Sequence, residues 1–268
     1  MSLVLDSHLD ALYRFRGFIA GSVRREFASR YRNSLLGAAW LVLQPLSTIA
    51  VFTLVFSQVM KARLGQSENP FAYSIHLCAG MLTWALFAEI VGRGMNVFID
   101  HANLLKKLNF PRICLPAIVV INACLGFAIV FALFTLFLLA TGNFPGWRFV
   151  LVVPPLIVEV LFAIGLGMIL GVLNVFFRDV GQFFSIALQF WFWLTPIVYT
   201  LDTLPEAVAR VVAWNPMTPL VASYQRVLLR TGEPAWTAVA VVGVLAAGLC
   251  AVGLRLFQRR SAEMVDEL

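Results

Sequence analysis

Long apolar runs alternate with short polar segments along the whole chain. A helix needs about 18–20 consecutive, mostly apolar residues to cross the hydrocarbon core of a bilayer. Six runs approach or exceed this length, at residues 35–60, 71–97, 113–140, 150–177, 181–199 and 236–257. The pattern predicts an all-α polytopic membrane protein whose six transmembrane helices form one domain, 35–257, followed by a short tail, 258–268.

The segment before the first span, residues 1–34, has a different pattern. Within residues 8–32, large apolar side chains recur every four positions, which places them in one slanting stripe on a helix. The stripe consists of Phe15, Ile19, Val23, Phe27 and Tyr31. Several arginines fall on the opposite face. We expect an amphipathic helix that lies on the membrane surface; a solvated arm is the alternative.

Two short helices are predicted between the fifth and sixth spans, at 205–214 and 219–230. Each begins with a proline close to a capping residue, and the chain breaks at Asn215-Pro216 and at Gly232. At 1.5 Å per residue each helix is roughly 15–18 Å long, about half the thickness of the hydrocarbon core. Neither can span, so we expect an outer hairpin or a re-entrant helix pair.

Composition and charge support this topology. The chain is 60% hydrophobic and only 13% charged, which leaves no room for a separate soluble domain. Six spans place both termini on one side, and fourteen of the 20 Lys and Arg residues then fall on that side. Because cytoplasmic segments are enriched in Lys and Arg, we expect both termini to be cytoplasmic. This topology also accounts for the basic excess without a nucleic-acid partner.

The polar bridge between the second and third spans, residues 97–116, carries the most informative charges. It contains Lys106, Lys107 and Arg112 but a single acid, Asp100. Its pattern is helical up to Pro111, which restricts the preceding residue and ends the helix. A short basic helix on the cytoplasmic side is accessible to another protein. We therefore expect a partner to push on this segment.

Charged residues also occur inside the predicted spans. Glu89 and Arg93 are four residues apart in the second span, so they lie on one helix face. Charges at membrane depth face protein or water. This pair is either a structural salt bridge or part of the inner mouth of a transport path. Glu159, in the fourth span, is expected to have a hydrogen-bonded packing role.

The motifs of catalytic and nucleotide-binding sites are absent. The chain has no G-x-x-x-x-G-K-[ST] loop, and its three histidines and four cysteines lack the spacing of a metal site. We therefore expect no enzymatic activity, no bound metal and no cofactor in this chain. A proton-coupled carrier would require more ionisable groups in the membrane and often an internal repeat, which we do not find.

Five short motifs follow one another along the chain. They are residues 30–40 (RYRNSLLGAAW) with Gln44-Pro45; residues 103–107 (NLLKK) with Phe110-Pro111-Arg112 and Leu115-Pro116; residues 177–180 (FRDV); residues 195–199 (TPIVY); and Asn215-Pro216-Met217. In order and spacing they resemble the permease subunits of ABC transporters that export O-antigen, capsule or teichoic acid chains. The resemblance covers nearly the whole chain. One departure is Leu108-Asn109, where this family would have a β-branched and an aromatic residue.

The resemblance implies a multi-pass protein of the bacterial inner membrane that forms a homodimer. A separate dimer of ATP-binding cassette ATPases would bind ATP and Mg²⁺ and dock on the cytoplasmic side. The N-terminal amphipathic helix and residues 100–112, here called the coupling segment, would contact it. The residues assigned to this coupling are Asp100, His101, Asn103, Leu104, Lys106, Lys107, Phe110 and Arg112.

The implied cargo is a polysaccharide on an anionic pyrophosphoryl lipid, with O-antigen favoured. Cationic side chains would bind the pyrophosphate as the lipid enters; the candidates are Arg24, Arg25, Arg30 and Arg32, which could instead only set topology. Aromatic rings offer apolar faces to a sugar chain. The candidates that would line the path are Trp84, Phe87, Trp191, Phe192, Trp193 and Tyr199. Alternatively, these rings form the membrane's aromatic belts or the core.

Two other functions remain open from the sequence. One is an ABC permease for a drug or a small lipid. The other is an ATP-independent carrier or a membrane assembly factor, which would have no ATPase partner.

Overall fold

The computed structural model describes residues 10, 12–31, 39–52, 54, 69–107, 110–261 and 263–267. All regular structure in this part of the chain is helical. The α-helices are α1 (Arg16–Tyr31), α2 (Trp40–Phe52), α3 (Ala72–Asp100), α4 (Ala102–Lys107), α5 (Cys114–Ala140), α6 (Val153–Phe176), α7 (Asp179–Trp193), α8 (Glu206–Ala213), α9 (Met217–Leu228), α10 (Trp236–Arg260) and α11 (Glu263–Glu267). Two 3-10 helices, Gly146–Val152 and Leu201–Thr203, precede α6 and α8.

Four segments of the described chain are long and apolar enough to cross a membrane. They are Ala72–Asp100, Cys114–Ala140, Gly146–Phe176 and Trp236–Arg260. These correspond to the second, third, fourth and sixth predicted spans, and Trp236–Arg260 continues beyond its predicted end at residue 257. The membrane-protein fold is thereby supported with four candidate spans, and the count of six stays a prediction.

The other two predicted spans correspond to shorter helices. The 13 residues of α2 lie within the first predicted span, and the rest of that span falls mostly outside the described residues. Helix α7 has 15 residues, about 22 Å at 1.5 Å per residue. It ends at Trp193, not at the predicted Tyr199, because Pro196 restricts Thr195 and cannot continue a helix.

Glycines allow α6 to pack closely against both α3 and α10. A Cβ atom on Gly171 would lie 2.6 Å from the carbonyl oxygen of Gly94 in α3. A Cβ atom on Gly165 would lie 2.7 Å from the backbone nitrogen of Cys250 in α10. Both distances are shorter than van der Waals contact, so only glycine fits at these two positions. These two glycines thus let the backbone of α6 lie directly against α3 and α10.

The predicted pair of short helices is present as α8 and α9, but the two differ in environment. Most of α9 is buried against the bundle, whereas α8 is largely exposed. Helix α9 begins at Met217, two residues before the predicted start at 219. The Met217 amide donates a hydrogen bond to Asn215 Oδ1 at 3.0 Å.

The buried clusters define two ends of the bundle. At one, here called the α4 end, Phe98, Leu105, Val175, Phe257 and Met264 share a single apolar cluster. At the other, here called the α9 end, another cluster joins side chains of α3, α5 and α9, which are Ile75, Leu138 and Tyr224. Successive long helices run between these ends in alternating directions.

Helix α1 packs against the beginning of α5, near the α4 end. Ile19 and Val23, from the middle of the predicted stripe, are buried and contact Cys114 and Ile118 of α5. The stripe therefore faces protein at its centre. The side chain of Tyr31 lies outside the described residues.

Candidate functional site

The coupling segment presents a polar stripe to its surroundings. Asp100, Asn103 and Lys106 are exposed. They are three residues apart from one another, so they lie on one side of the chain at the junction of α3 and α4. Leu105, which points the other way, is buried in the cluster at the α4 end. The side chain of Lys107 and residues 108–109 lie outside the described residues. The stripe is available to a partner protein.

The remaining residues assigned to coupling anchor the segment. The ring of Phe110 lies 5.0 Å from the ring of Phe18 in α1, measured between centroids. The Nδ1 atom of His101 is 2.9 Å from the Val97 carbonyl oxygen, within α3. Leu104 and Arg112 are half-buried. Through the Phe18–Phe110 contact, the coupling segment and α1 form one packed unit.

The C-terminal tail also packs at this end. Met264 of α11 is almost fully buried in the same cluster as Leu105. An ion pair between Arg260 and Glu263 joins α11 to the end of α10. Residues 258–268 were predicted only as a tail. Their contact with the bundle was not predicted, because one apolar side chain in a five-residue helix gives no periodic signal.

Charged and polar side chains connect α1 to the long helices. The guanidinium of Arg93 forms ion pairs with Glu89, at 3.4 Å, and with Glu26 of α1. The second carboxylate oxygen of Glu26 accepts a hydrogen bond from Asn122 Nδ2 of α5 at 2.7 Å. The Glu89–Arg93 pair was predicted, and Glu26 was not. One signal was present: Glu26 is the only acidic residue in the basic segment 12–31.

Two of the four arginines predicted to bind the lipid pyrophosphate can be located. Arg24 and Arg25 are both exposed on α1. Arg24 lines a groove of 840 Å³ between α1 and α5, whose other walls include Val23, Ile121 and Leu125. The side chain of Arg30 and all of Arg32 lie outside the described residues. The structure therefore brings one of the four arginines beside an apolar groove.

The aromatic residues predicted to line the path occupy two environments. Trp84 and Phe87 are buried in the core. Trp191 and Phe192 are half-buried and contact them, with ring centroids 5.3 Å apart for Phe87–Trp191 and 5.7 Å apart for Trp84–Phe192. In contrast, Trp193 is 65% exposed. Tyr199 is half-buried, and its hydroxyl donates to the Trp193 carbonyl at 2.9 Å.

An asparagine joins this aromatic cluster to the short helices. Trp191 Nε1 donates to Asn215 Oδ1 at 2.8 Å, and Asn215 Nδ2 donates to Thr195 Oγ1 at 2.9 Å. The same Asn215 oxygen accepts the hydrogen bond from the Met217 amide at the start of α9. The end of α7 and the start of α9 are thereby held together by one side chain, a role that the motif at Asn215-Pro216 did not reveal in the sequence.

The sequence profile of the ABC-2 type transporters matches residues 19–229. The chain belongs to this family. Every residue assigned above to coupling, lipid binding, the ion pair or the path lies inside the matched range.

Curated relatives extend the similarity to nearly the whole chain. The O-antigen export system permease protein RfbA of Myxococcus xanthus is 33% identical over 265 residues, which cover 96% of this ABC-2 chain and 97% of the relative. A protein of the same name from Klebsiella pneumoniae is 28% identical over 88% of each chain. The polysialic acid transport protein KpsM of Escherichia coli is 21% identical over 74% of this chain and 75% of its own.

Proposed function

We propose that this chain is the permease subunit of an ATP-driven exporter that moves a lipid-linked polysaccharide, O-antigen in particular, across the bacterial inner membrane. The observation that carries the proposal is the similarity to the permease named for O-antigen export in Myxococcus xanthus, which covers 97% of that protein's length. Membership of the ABC-2 family favours an ATP-binding cassette partner over an ATP-independent carrier.

In this proposal the chain itself performs no chemistry. A separate ATPase dimer binds ATP and Mg²⁺ and contacts two copies of the permease. The exposed stripe of Asp100, Asn103 and Lys106 supports a docking role for the coupling segment. The distribution of Lys and Arg supports a cytoplasmic location for both termini and for this segment.

The packing at the α4 end supports a route by which movement of the ATPase reaches the long helices. Displacement of α4 would move α1, because Phe110 packs on Phe18. Helix α1 is in turn paired to α3 and α5 through Glu26. Since packed interfaces switch between discrete arrangements, a small shift here could open a path between two copies of the chain.

The cargo has an anionic pyrophosphate, an apolar lipid and a polar glycan. Arg24 beside the groove between α1 and α5 offers a cationic contact next to an apolar wall, as the pyrophosphate and lipid require. The exposed Trp193 offers a ring face to the glycan. Arg25, Arg30 and Arg32 remain further candidates for the pyrophosphate.

Co-purification and a gene deletion test the proposal. The tagged chain, isolated from its native host in mild detergent, is expected to bring with it a stoichiometric P-loop ATPase with vanadate-sensitive turnover. Deletion of the gene is expected to remove the lipid-linked polysaccharide from the cell surface. A homo-oligomer without nucleotide hydrolysis would favour a carrier. An ATPase partner combined with unchanged surface polysaccharide would favour an ABC permease for a drug or small lipid.

A further inference from the structure

A cavity of 840 Å³ with charged side chains in its lining lies at the α9 end, among the beginning of α3, the chain after α7 and helix α9. Its volume falls within the ~300–1,000 Å³ that small-molecule sites usually occupy. Its lining includes the aromatic rings of Tyr73, His76 and Tyr199. It also includes the polar side chains of Asp202, Gln225 and Arg226.

The charges distinguish this cavity from two others of similar size. The groove between α1 and α5 has 840 Å³, and a cavity between α5 and α6 has 850 Å³. Of these three cavities, all formed by described residues, only the one at the α9 end contains both an acid and a base. Its acid and base offer a polar ligand contacts that a lipid chain cannot use.

Some polar groups in this lining have no hydrogen-bond or ion-pair partner among the described residues. Gln225 is 94% buried, being only 6% exposed, and its amide nitrogen lies 3.2 Å from both the Pro196 oxygen and His76 Nε2. Its Oε1 atom accepts no hydrogen bond from any described residue. Asp202 and Arg226 likewise form no ion pair with one another or with any other residue that the structure describes. Gln225 Oε1 and the charges of Asp202 and Arg226 are therefore available to a polar ligand in the cavity.

The aromatic residues in the lining are suited to the apolar faces of a ligand. The rings of Tyr73 and His76 are 6.2 Å apart between centroids and inclined by only 30° to each other. The Tyr73 hydroxyl is held by the Val198 carbonyl at 2.8 Å, and Tyr199 is held through its hydroxyl by Trp193. These bonds fix the rings in place. A pyranose has apolar C–H faces and a rim of hydroxyl groups. Aromatic rings can pack on the faces, and carboxylate, amide and guanidinium groups can hydrogen-bond to the rim.

We propose that this cavity binds a short segment of the exported glycan at the end of the path opposite to α4. The inference rests on the proposed export of a polysaccharide and adds a binding site to it. Sugar hydroxyls donate to Asp202 and to Gln225 Oε1 and accept from Arg226. A glycan segment held here is hindered from sliding back before the next movement of the ATPase.

Direct binding to the whole permease in lipid nanodiscs tests this inference. The probe is the strain's own surface polysaccharide, released by mild acid and cut to fragments of two to four repeat units, and calorimetry measures its affinity. The double variant Asp202→Asn/Arg226→Gln is expected to bind about tenfold more weakly, since two charge-assisted hydrogen bonds are lost. The matched control is Glu206→Gln/Arg210→Gln, an exposed acid and base on α8 outside the cavity.

Both substituted pairs include exposed side chains, so the folded state is checked by size-exclusion chromatography for each variant. Tyr199→Ala and Tyr199→Phe provide a second comparison, in which only the alanine removes the ring and is expected to weaken binding. Equal affinity of the unaltered protein and the double variant, or no binding by the unaltered protein, overturns the inference. If the binding test fails but deletion of the gene removes the surface polysaccharide, the binding site is overturned and the proposed export function stands. If deletion leaves the surface polysaccharide unchanged, both the binding site and the proposed function fail.

Discussion

Glu26 and Arg93 are 67 residues apart in the chain, and their ion pair joins α1 to α3. The same carboxylate also receives the Asn122 amide of α5. One acidic side chain of the surface helix therefore contacts two long helices. Because both partners of the ion pair are half-buried, water screens it less than an ordinary surface pair.

Replacement of Glu26 by Ala should loosen α1. The variant leaves Arg93 with Glu89 as its acidic partner and deprives Asn122 of its acceptor, which should lower the stability of the folded permease by about 1–3 kcal/mol. Hydrogen exchange followed by mass spectrometry should show faster exchange across residues 16–31. The control is Glu206→Ala, which removes an exposed pair and should change stability by less than about 0.5 kcal/mol. Unchanged exchange in α1 would show that the ion pair does not hold it.

Reversal of charge at Lys106 and Lys107 should uncouple the permease from its ATPase. Lys106 is exposed in the stripe proposed to dock the partner. Introducing Glu at both positions replaces attraction by repulsion, which costs several kcal/mol in a complementary interface. We expect loss of export and of co-purifying ATPase, with normal membrane insertion by fractionation. Arg210→Glu on α8 serves as the control. Normal export by the reversed variant would remove these lysines from the coupling site.

Tyr224 and Glu159 should be coupled in stability. Both are fully buried, and the Tyr224 hydroxyl donates to Glu159 Oε2 at 2.8 Å, as the predicted packing role of Glu159 requires. The other oxygen, Oε1, has no hydrogen-bond partner among the described residues. Tyr224→Phe leaves the carboxyl group without its donor and should destabilise by about 1–3 kcal/mol. A double-mutant cycle with Glu159→Leu, which removes the acceptor, should give a non-zero interaction energy when measured by thermal unfolding in detergent. Additive effects would contradict the coupling.

Trp193 and Trp84 should respond differently to replacement by Ala. Trp193 is 65% exposed, so its loss should leave the folded protein intact and slow export if its ring contacts the glycan. Trp84 is buried against Phe87 and Phe192. Its replacement leaves a cavity and should cost about 3–5 kcal/mol. Export in cells and melting temperature in detergent separate the two effects. Unchanged export by Trp193→Ala would remove that residue from the path.

The sequence predicted the helices that are long and strongly apolar, because length and hydropathy are local properties. The end of α7 could not be predicted from apolar character alone. The chain stays apolar through residues 196–199, although the helix already ends at Trp193. The ion pair of Glu89 and Arg93 followed from helical spacing. Glu26 and Asn215 were missed because their partners are distant in the chain, and only packing brings them together.

Gly171→Ala should disturb the contact between α6 and α3. The added Cβ would lie 2.6 Å from the Gly94 carbonyl oxygen and 3.3 Å from Cε2 of Phe98. The backbone of α3 cannot yield as a flexible side chain would, so the helices must separate, at a cost of about 1–3 kcal/mol. Gly248→Ala is the matched control, because a Cβ there meets nothing within 4 Å and position 248 lies inside α10. Alanine favours a helix over glycine by up to about 1 kcal/mol, so this control should melt at the same or a higher temperature. Equal melting temperatures for the two variants would mean that the close approach of α3 and α6 does not limit stability.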